Sequence, residues 1–233
     1  MGTRYAVSVI GGDEASANEL QAAIDERLAE VNRQMSTYDP KSELSLFNAS
    51  DSTHWVEVSE ETASVVEAAL ELAGDYDGSY DPTVGPLVNL WGFGPAERAD
   101  GLPSDAAVEA ARAVVGYELV DVQRDPPALK KSEAGVYVDL SSIAKGHGVD
   151  AIAALLDERS IKSYMVEIGG EVRAKGRKPG GLPWRVGVER ADEPLRISAG
   201  KPRLQEVVEL VDQSMATSGD YRNYFEVDGT RYS

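Results

Sequence analysis

The stretch Gly135-Val-Tyr-Val-Asp-Leu-Ser-Ser-Ile-Ala-Lys-Gly146 has the pattern of a strand that turns directly into a helix. Its alternating valines indicate a half-buried strand that spans residues 135–140 and carries Asp139 to its end. Ser141-Ser142 is suited to cap a helix that begins there. The apolar positions of that helix recur at helical spacing and are Val149, Ile152, Leu155 and Leu156. The segment therefore predicts a strand, a tight turn and a helix, with Asp139 and Lys145 close to the joint.

Three more helices are predicted elsewhere in the chain. The first begins near Ser16, which forms a capping-box pattern with Glu19. Its single apolar stripe consists of Leu20, Ile24, Leu28, Val31 and Met35. The second is expected from Ser59 to Ala73, and the third from Ser104 to Val115 with Gly116 as its C-cap.

The remaining regular elements are predicted to be strands. Period-2 patterns indicate strands at Thr3–Ile10, Tyr164–Ile168, Trp184–Glu189 and Glu206–Val211. Asp228-Gly229 predicts a tight hairpin, and Pro179–Pro183 and Pro194–Pro202 are expected to be surface loops. Because strands and helices do not alternate as βαβ units, the sequence favours a single α+β domain with a mixed or antiparallel sheet and packed helices.

Composition excludes several classes of function. The 233 residues carry a formal charge of −17, with 40 acidic against 23 basic side chains and no basic cluster, so nucleic acid is not an expected partner. The absence of cysteine excludes disulfides, thiol catalysis and cysteine-based zinc sites. With His54 and His147 as the only histidines, any metal is expected to be a hard cation with oxygen ligands.

The segment from Ser79 to Gly94 holds too many glycines and prolines for a helix and too many apolar groups for a solvated loop. One interpretation is a buried Ω-type loop in which Trp91 and Phe93 fill the core. The other is the wall of a pocket for a planar ligand, since backbone rich in Gly and Pro can approach a ligand closely. The residues alone leave both open.

Three other segments carry polar groups that could serve a site. The joint from Asp139 to Gly146 would offer helix N–H donors and Lys145 to an anion, although it lacks the Walker and G-x-G-x-x-G patterns and Lys145 could equally be a solvated lysine. Glu167-Ile-Gly-Gly-Glu171 is either a ligand-approaching turn or a strand-ending bulge. Ser214–Tyr224 is either a functional loop or a satisfied network of turns.

Taken together and in this order, these segments closely resemble the ApbE family of FAD:protein FMN transferases. The segments that carry the resemblance are Met1-Gly-Thr-Arg-Tyr5, Met35-Ser-Thr-Tyr-Asp-Pro40, Ser42-Glu-Leu-Ser45, Phe47-Asn48, Asp81-Pro-Thr-Val-Gly-Pro-Leu-Val-Asn-Leu-Trp-Gly-Phe-Gly94, Val138-Asp-Leu-Ser-Ser-Ile-Ala-Lys-Gly146, Val166-Glu-Ile-Gly-Gly-Glu171, Trp184-Arg-Val-Gly187 and Ser218-Gly-Asp-Tyr-Arg-Asn-Tyr-Phe225. The resemblance therefore covers nearly the whole chain and implies one ApbE-like domain over residues 1–233.

The resemblance implies a set of contacts to FAD and to magnesium (Mg²⁺). The residues expected to bind FAD are Met1, Tyr38, Ser79, Tyr80, Asp81, Asp139 and Lys145. Tyr38 is expected to stack on an aromatic ring, Asp139 to bind a polar edge and Lys145 to face the diphosphate. Ser142, or the backbone of Ala144, is expected to contribute to the Mg²⁺ site.

The implied reaction is attack by a threonine hydroxyl of an acceptor flavoprotein on the FMN-side phosphorus of FAD, with release of AMP. Mg²⁺ would offset the repulsion between an acidic protein and a diphosphate. Two alternatives remain open from the sequence, an FAD pyrophosphatase that yields FMN and AMP, and a flavin-binding protein without enzymatic activity.

The family pattern continues past the last residues of this chain. Members extend from Arg-Tyr-Ser into His-Ile-x-Asp-Pro-x-Thr-Gly and later Ala-Asp-Ala-x-x-Thr, so the family's catalytic His and its principal metal-binding Asp and Thr would lie beyond Ser233. The expectation is an enzyme whose first 233 residues alone bind flavin poorly and turn over slowly or not at all. Family habit also implies a periplasmic or lipid-anchored location, with the export signal and any anchor outside residues 1–233.

Overall fold

The computed structural model describes residues 2–11, 13–95, 97–190, 204–220 and 223–233. It confirms the α+β class. The helices are α1 (Glu14–Met35), α2 (Glu43–Ala49), α3 (Glu60–Asp75), α4 (Gly85–Leu90), α5 (Asp105–Arg112) and α6 (Ala144–Glu158). The strands are β1 (Tyr5–Val9), β2 (Val56–Glu57), β3 (Val120–Arg124), β4 (Pro127–Lys131), β5 (Tyr164–Ile168), β6 (Glu171–Lys175), β7 (Trp184–Glu189), β8 (Leu204–Leu210), β9 (Gln213–Met215), β10 (Phe225–Val227) and β11 (Thr230–Tyr232). Among the described helices, none is long and apolar enough to cross a membrane.

The chain divides into two compact units, and residues 28–144 form the first. Its sheet is antiparallel with the order β2-β4-β3, and α3 packs on β3 and β4. The core of this unit combines the apolar face of α3 with side chains of α2 and of the extended segment 136–140. Its fully enclosed members include Leu44, Phe47, Val66, Leu129, Val136, Val138 and Leu140.

Residues 2–27 and 145–233 form the second unit. Its main sheet is antiparallel with the order β1-β5-β6-β9, and Val7 of β1 lies opposite Val166 of β5. The buried face of α6 and the inward face of β5 supply much of the core, including Ile152, Leu156, Tyr164 and Val166. Two antiparallel ribbons, β7-β8 and β10-β11, complete the unit. The predicted hairpin is confirmed, because Asp228 and Gly229 turn β10 into β11 with φ of 49° and 75°.

Two predicted helix ends are wrong. Helix α1 begins at Glu14 instead of near Ser16, because the carboxylate of Asp13 accepts the Ser16 N–H at 2.9 Å and acts as the cap. Helix α5 ends at Arg112, short of the predicted Val115. Gly116 is not its C-cap, since it has extended backbone and its N–H donates to Thr83 Oγ1 at 2.7 Å.

Two predictions near the joint also need correction. The segment from Ser79 to Gly94 contains a helix after all, α4, which Pro86 opens in the first turn, where a proline costs no hydrogen bond. Residues 136–140 are extended but join no sheet beyond one bridge between Tyr137 and Val84, and Gly135 lies in a turn with φ of 92° instead of in the predicted strand. The backbone of this segment forms hydrogen bonds outside any sheet, with the Asn48 side chain at Val138 and with the Pro82 carbonyl at Asp139.

Candidate active site

A cavity of about 750 Å³ lies within the unit formed by residues 28–144. This volume is in the range of small-molecule and cofactor sites. Its walls come from four separate parts of the chain, residues 37–38, 78–94, 112–115 and 139–142. The lining residues are Thr37, Tyr38, Gly78, Ser79, Tyr80, Asp81, Val84, Leu87, Val88, Phe93, Gly94, Arg112, Val115, Asp139, Ser141 and Ser142. The cavity thus gathers Tyr38, Ser79, Tyr80, Asp81, Asp139 and Ser142, all of which the sequence had singled out.

Tyr38 presents its ring at the cavity from a braced turn after α1. Tyr38 is 67% exposed. Hydrogen bonds fix this turn, because the hydroxyls of Ser42 and Ser45 both donate to the Ser36 carbonyl oxygen, at 2.5 Å and 2.9 Å. The Ser36 hydroxyl in turn accepts the backbone N–H groups of Tyr38 and Asp39. A rigid backbone therefore carries an uncovered ring.

Ser79 and Tyr80 reach the cavity through a sharp turn after α3. Asp77 and Gly78 both have positive φ, 50° and 72°, which reverses the chain. The Tyr80 hydroxyl accepts a hydrogen bond from Ser142 Oγ at 3.1 Å, joining this wall to the turn that precedes α6. Burial raises the pKa of the Tyr80 phenol, and the nearby carboxylates of Asp139 and Asp81 add to the rise. Tyr80 is therefore a neutral hydrogen-bonding group at ordinary pH.

Asp81 lines the cavity but also organises it. Its Oδ1 accepts the N–H and the hydroxyl of Thr83, at 2.8 Å and 2.6 Å, and its Oδ2 accepts the Tyr117 N–H at 3.1 Å. Thr83 is fully buried, and its Oγ1 accepts the Gly116 N–H. Oδ1 of Asp81 thus braces the 79–84 turn from within, and Oδ2 ties that turn to the segment after α5. Asp81 has this structural role in addition to its predicted contact with FAD.

Asp139 is held at the cavity wall by its backbone. Its N–H donates to the Pro82 carbonyl at 2.7 Å, and its Oδ1 accepts the Ser141 N–H at 2.7 Å. The other carboxylate oxygen, Oδ2, receives no hydrogen bond from the described residues. The capping role predicted for Ser141 and Ser142 therefore belongs in part to Asp139, which shapes the turn before α6. One oxygen of Asp139 remains available to a ligand.

An apolar wall stands beside these polar groups. Leu87 and Val88 come from α4, and Phe93 follows in a turn closed by its N–H donating to the Val88 carbonyl at 2.9 Å. The sequence left two interpretations of this segment open, a buried Ω-type loop and the wall of a pocket. Phe93 lines the cavity, as the second interpretation predicted, whereas Trp91 is not among the lining residues. Gly85 makes the close packing possible, because a Cβ there would lie 2.1 Å from Cδ1 of Tyr137.

Arg112 and Val115 line the cavity and were not predicted from the sequence. Arg112 ends α5 and its guanidinium lies 3.8 Å from Glu109, an exposed pair one turn away. In sequence it resembles any solvated basic residue in the last turn of a helix, so no local pattern distinguishes it. It is nevertheless the basic side chain of the lining in a strongly acidic chain.

Lys145 lies in the second unit and has partners there. Its ammonium is 2.9 Å from Glu171 Oε1 and 3.3 Å from the Gly169 carbonyl. It is thus not a free, solvated helix lysine. The turn that supplies these partners has Gly169 and Gly170 at positive φ and is closed by the Gly170 N–H donating to Glu167 at 2.7 Å. The predicted contact of Lys145 with the diphosphate stays a prediction.

The described residues do not form a complete metal site. Ser142 offers one hydroxyl, which donates to Tyr80, and Ala144 starts α6 without being part of the lining. Across the described ranges, no group of three or more His, Asp or Glu side chains is arranged to hold a metal ion. Met1 and two residues of the Ser214–Tyr224 segment, at 221 and 222, lie outside the described residues.

Comparison with known proteins identifies the family. The model of the ApbE family matches residues 1–233. The chain belongs to the ApbE family. Among its ApbE relatives, the FAD:protein FMN transferase of Vibrio cholerae is 48% identical over all of this chain and 68% of its own length. The resemblance seen in the sequence is confirmed, and the names of the ApbE relatives place the chain in a family of transferase enzymes.

Solved ApbE structures share the fold. The flavin transferase ApbE of Vibrio cholerae superposes with a TM-score of 0.86 at 45% identity, covering 100% of this chain and 72% of that one. The apo flavinyl transferase ApbE of Pseudomonas stutzeri gives a TM-score of 0.85 at 38% identity, covering 100% and 70%. The chain thus spans about two thirds of the length of its ApbE relatives.

Proposed function

We propose that this protein transfers the FMN moiety of FAD to a threonine of an acceptor flavoprotein, releases AMP, and depends on Mg²⁺. The observation that carries the proposal is the cavity, which combines the exposed Tyr38 ring, the apolar wall with Phe93, and the Asp139 carboxylate. A flavin ring needs these features, since its faces are aromatic and its polar edge carries an N–H donor. The family of the chain supports the same choice of ligand.

The described residues would contribute binding and orientation. Tyr38 would stack on the flavin face, and Oδ2 of Asp139 would accept its ring N–H. In the transfer step the threonine oxygen forms a bond to the FMN-side phosphorus. The bond from that phosphorus to the bridging oxygen breaks, AMP leaves with the electron pair, and the hydroxyl proton passes to solvent. Holding the flavin still would help to align the phosphorus with the attacking oxygen.

The test is mass spectrometry of an acceptor peptide incubated with FAD and Mg²⁺. The complete natural protein and the 233-residue chain are compared in parallel, and AMP and FMN are quantified by chromatography. We expect the peptide to gain the mass of FMN in proportion to the AMP released. Free FMN and AMP with unmodified peptide would replace the proposal with an FAD pyrophosphatase, and intact FAD would leave a binding protein.

A peptide with the threonine replaced by valine is the matched control for the acceptor, and it should stay unmodified. Dependence on Mg²⁺ is tested by chelation followed by readdition of the ion, which should abolish and then restore transfer. Undiminished transfer in the chelator would refute the metal requirement without affecting the flavin transfer itself.

We also propose, from the family resemblance, that the reaction takes place outside the cytoplasmic membrane, in the periplasm or on a lipid anchor. Fractionation of cells that produce the complete protein tests this. We expect the protein in the periplasmic or membrane fraction, whereas recovery with cytoplasmic enzymes would contradict it.

A further inference from the structure

A fully buried lysine lies in the first unit. Lys131 is inaccessible to solvent at the end of β4, and burial lowers its pKa. Its ammonium donates to three backbone carbonyls, those of Phe47 and Asn48 at 3.2 Å and of Val136 at 3.3 Å. The Phe47 ring lies 5.2 Å from the same nitrogen. Lys131 forms no ion pair in the part of the chain that the structure describes.

This arrangement joins two parts of the chain. An ammonium has three donors and no acceptor, so three carbonyls use it completely. Two of these carbonyls belong to the last turn of α2, where the backbone oxygens have no i+4 helical partner and Phe47 O accepts the Ser50 N–H at 3.3 Å besides Lys131. The third, from Val136, opens the extended segment that leads to Asp139. Lys131 therefore fastens the end of α2 to the start of that segment.

Asn48 continues the connection with its side chain. Its Nδ2 donates to the Val138 carbonyl at 2.8 Å, and its Oδ1 accepts the Val138 N–H at 2.8 Å. Val138 is fully buried, so its backbone groups need these partners. The Asn amide carries an NH2 donor and a carbonyl acceptor on the same carbon, and so it takes the place of a neighbouring strand at this position.

We propose that Asn48, itself held by Lys131, is a positioning residue that fixes the backbone of Val138 and thereby sets the place of the Asp139 carboxylate at the cavity. The inference rests on the proposed function where it concerns flavin, because Asp139 is the next residue and its free oxygen is the proposed acceptor. Asn48 and Lys131 do not line the cavity and act only through the segment they hold.

The first experiment measures amide hydrogen exchange in the 233-residue chain and needs no flavin. Asn48→Ala removes both bonds to Val138, whereas Asn48→Asp keeps an acceptor for the N–H and loses the donor to the carbonyl. We expect protection of the Asp139 amide to fall at least about tenfold in Asn48→Ala and less in Asn48→Asp. Val66→Ala, a core change in α3 away from the lining, is the control and should leave the exchange of Asp139 relative to its neighbours unchanged.

Unchanged protection of the Asp139 amide in Asn48→Ala would overturn the inference, and so would a uniform loss across β3, β4 and α3. The second pattern would mean that Asn48 stabilises the whole unit without a local effect. Lys131→Met is measured in parallel. If it fails to fold, the Asn48 variants alone decide.

The second experiment is a double-mutant cycle on FAD affinity in the complete protein, with Asn48→Asp and Asp139→Asn. We expect each single change to weaken FAD binding by about tenfold or more, and the double variant to bind no more weakly than Asp139→Asn. Independent, multiplying losses would contradict the inference, because Asn48 would then act by another route. Absence of FAD binding in the unaltered protein would refute the proposed function, and amide exchange would still decide the positioning role.

Discussion

The hydroxyls of Ser42 and Ser45 converge on one carbonyl oxygen and so fix the turn that exposes Tyr38. At the level of single residues, the candidate site depends on such polar side chains that bond to backbone. Asp81, Asn48 and Thr83 do the same around the cavity. These groups determine where the ligand-facing side chains stand, and each can be altered separately.

Tyr38→Ala should weaken FAD binding about tenfold, because an exposed aromatic ring contributes roughly 1 kcal/mol or more by stacking. Quenching of flavin fluorescence measures the affinity. The melting temperature should stay nearly constant, since the ring is largely exposed. Tyr38→Phe is the control and should bind like the unaltered protein; an equal loss in both variants would assign the effect to the hydroxyl.

Tyr164 predicts how stability depends on alkaline pH. Burial raises the pKa of Tyr164 to about 12, and its hydroxyl lies 3.1 Å from Asp157 and 3.3 Å from the Ala153 carbonyl. Because the folded pKa exceeds the ordinary value of 10.0, the contribution of neutral Tyr164 is complete below pH 10 and is lost as pH rises through about 12.

Tyr164→Phe should cost about 1 kcal/mol at pH 7, through the lost hydrogen bonds. It should also flatten the decline in the free energy of unfolding above pH 10. Urea denaturation from pH 7 to 11 measures both effects. An alkaline decline as steep in the variant as in the unaltered protein would show that other groups cause it.

At the level of elements, the sequence predicted the helices and strands whose apolar residues recur with a clear period. Helices α3 and α6 and strands β5 and β7 were found because each runs long enough to show its period. Helices α2 and α4 were missed, since seven and six residues give fewer than two full turns. Segment 136–140 was mistaken for a sheet strand because its partner is the Asn48 side chain, 90 residues away from Val138.

The residues of the candidate site were likewise predicted only in part. Most of the residues that family resemblance named do meet at one cavity, while their roles in FAD binding stay predictions. Arg112 and Val115 were missed because only tertiary structure brings the end of α5 to the cavity.

Two glycines in helices should respond oppositely to alanine. Gly85→Ala in α4 places a Cβ 2.1 Å from the Tyr137 ring and should destabilise the protein by about 1–3 kcal/mol. Gly146→Ala in α6 meets no atom within 4 Å and should stabilise it by roughly 0.5–1 kcal/mol, through helix propensity. Urea midpoints decide: a stable or stabilised Gly85→Ala variant would contradict the packing argument at Gly85, and a destabilised Gly146→Ala variant would contradict the helix-propensity argument at Gly146.

At the level of the whole molecule, a formal charge of −17 opposes an anionic dinucleotide. We expect FAD to associate faster at about 0.15 M salt than at about 0.01 M, because the Debye length falls from about 30 Å to about 8 Å and the repulsion is screened. Stopped-flow fluorescence measures the rate. Arg112→Gln should slow association most at low salt, and a rate that falls with salt would show that a local positive field dominates.

The amide of Asn48 also bears on how such a site could change over generations. A carboxylate placed by a sheet moves only when a whole strand shifts its register, and that shift turns every side chain to the opposite face. Here the partner of the Val138 backbone is a single side chain. A change in the codon for Asn48 is therefore expected to shift the acid, and selection could adjust the pocket at that point while the sheets stay as they are.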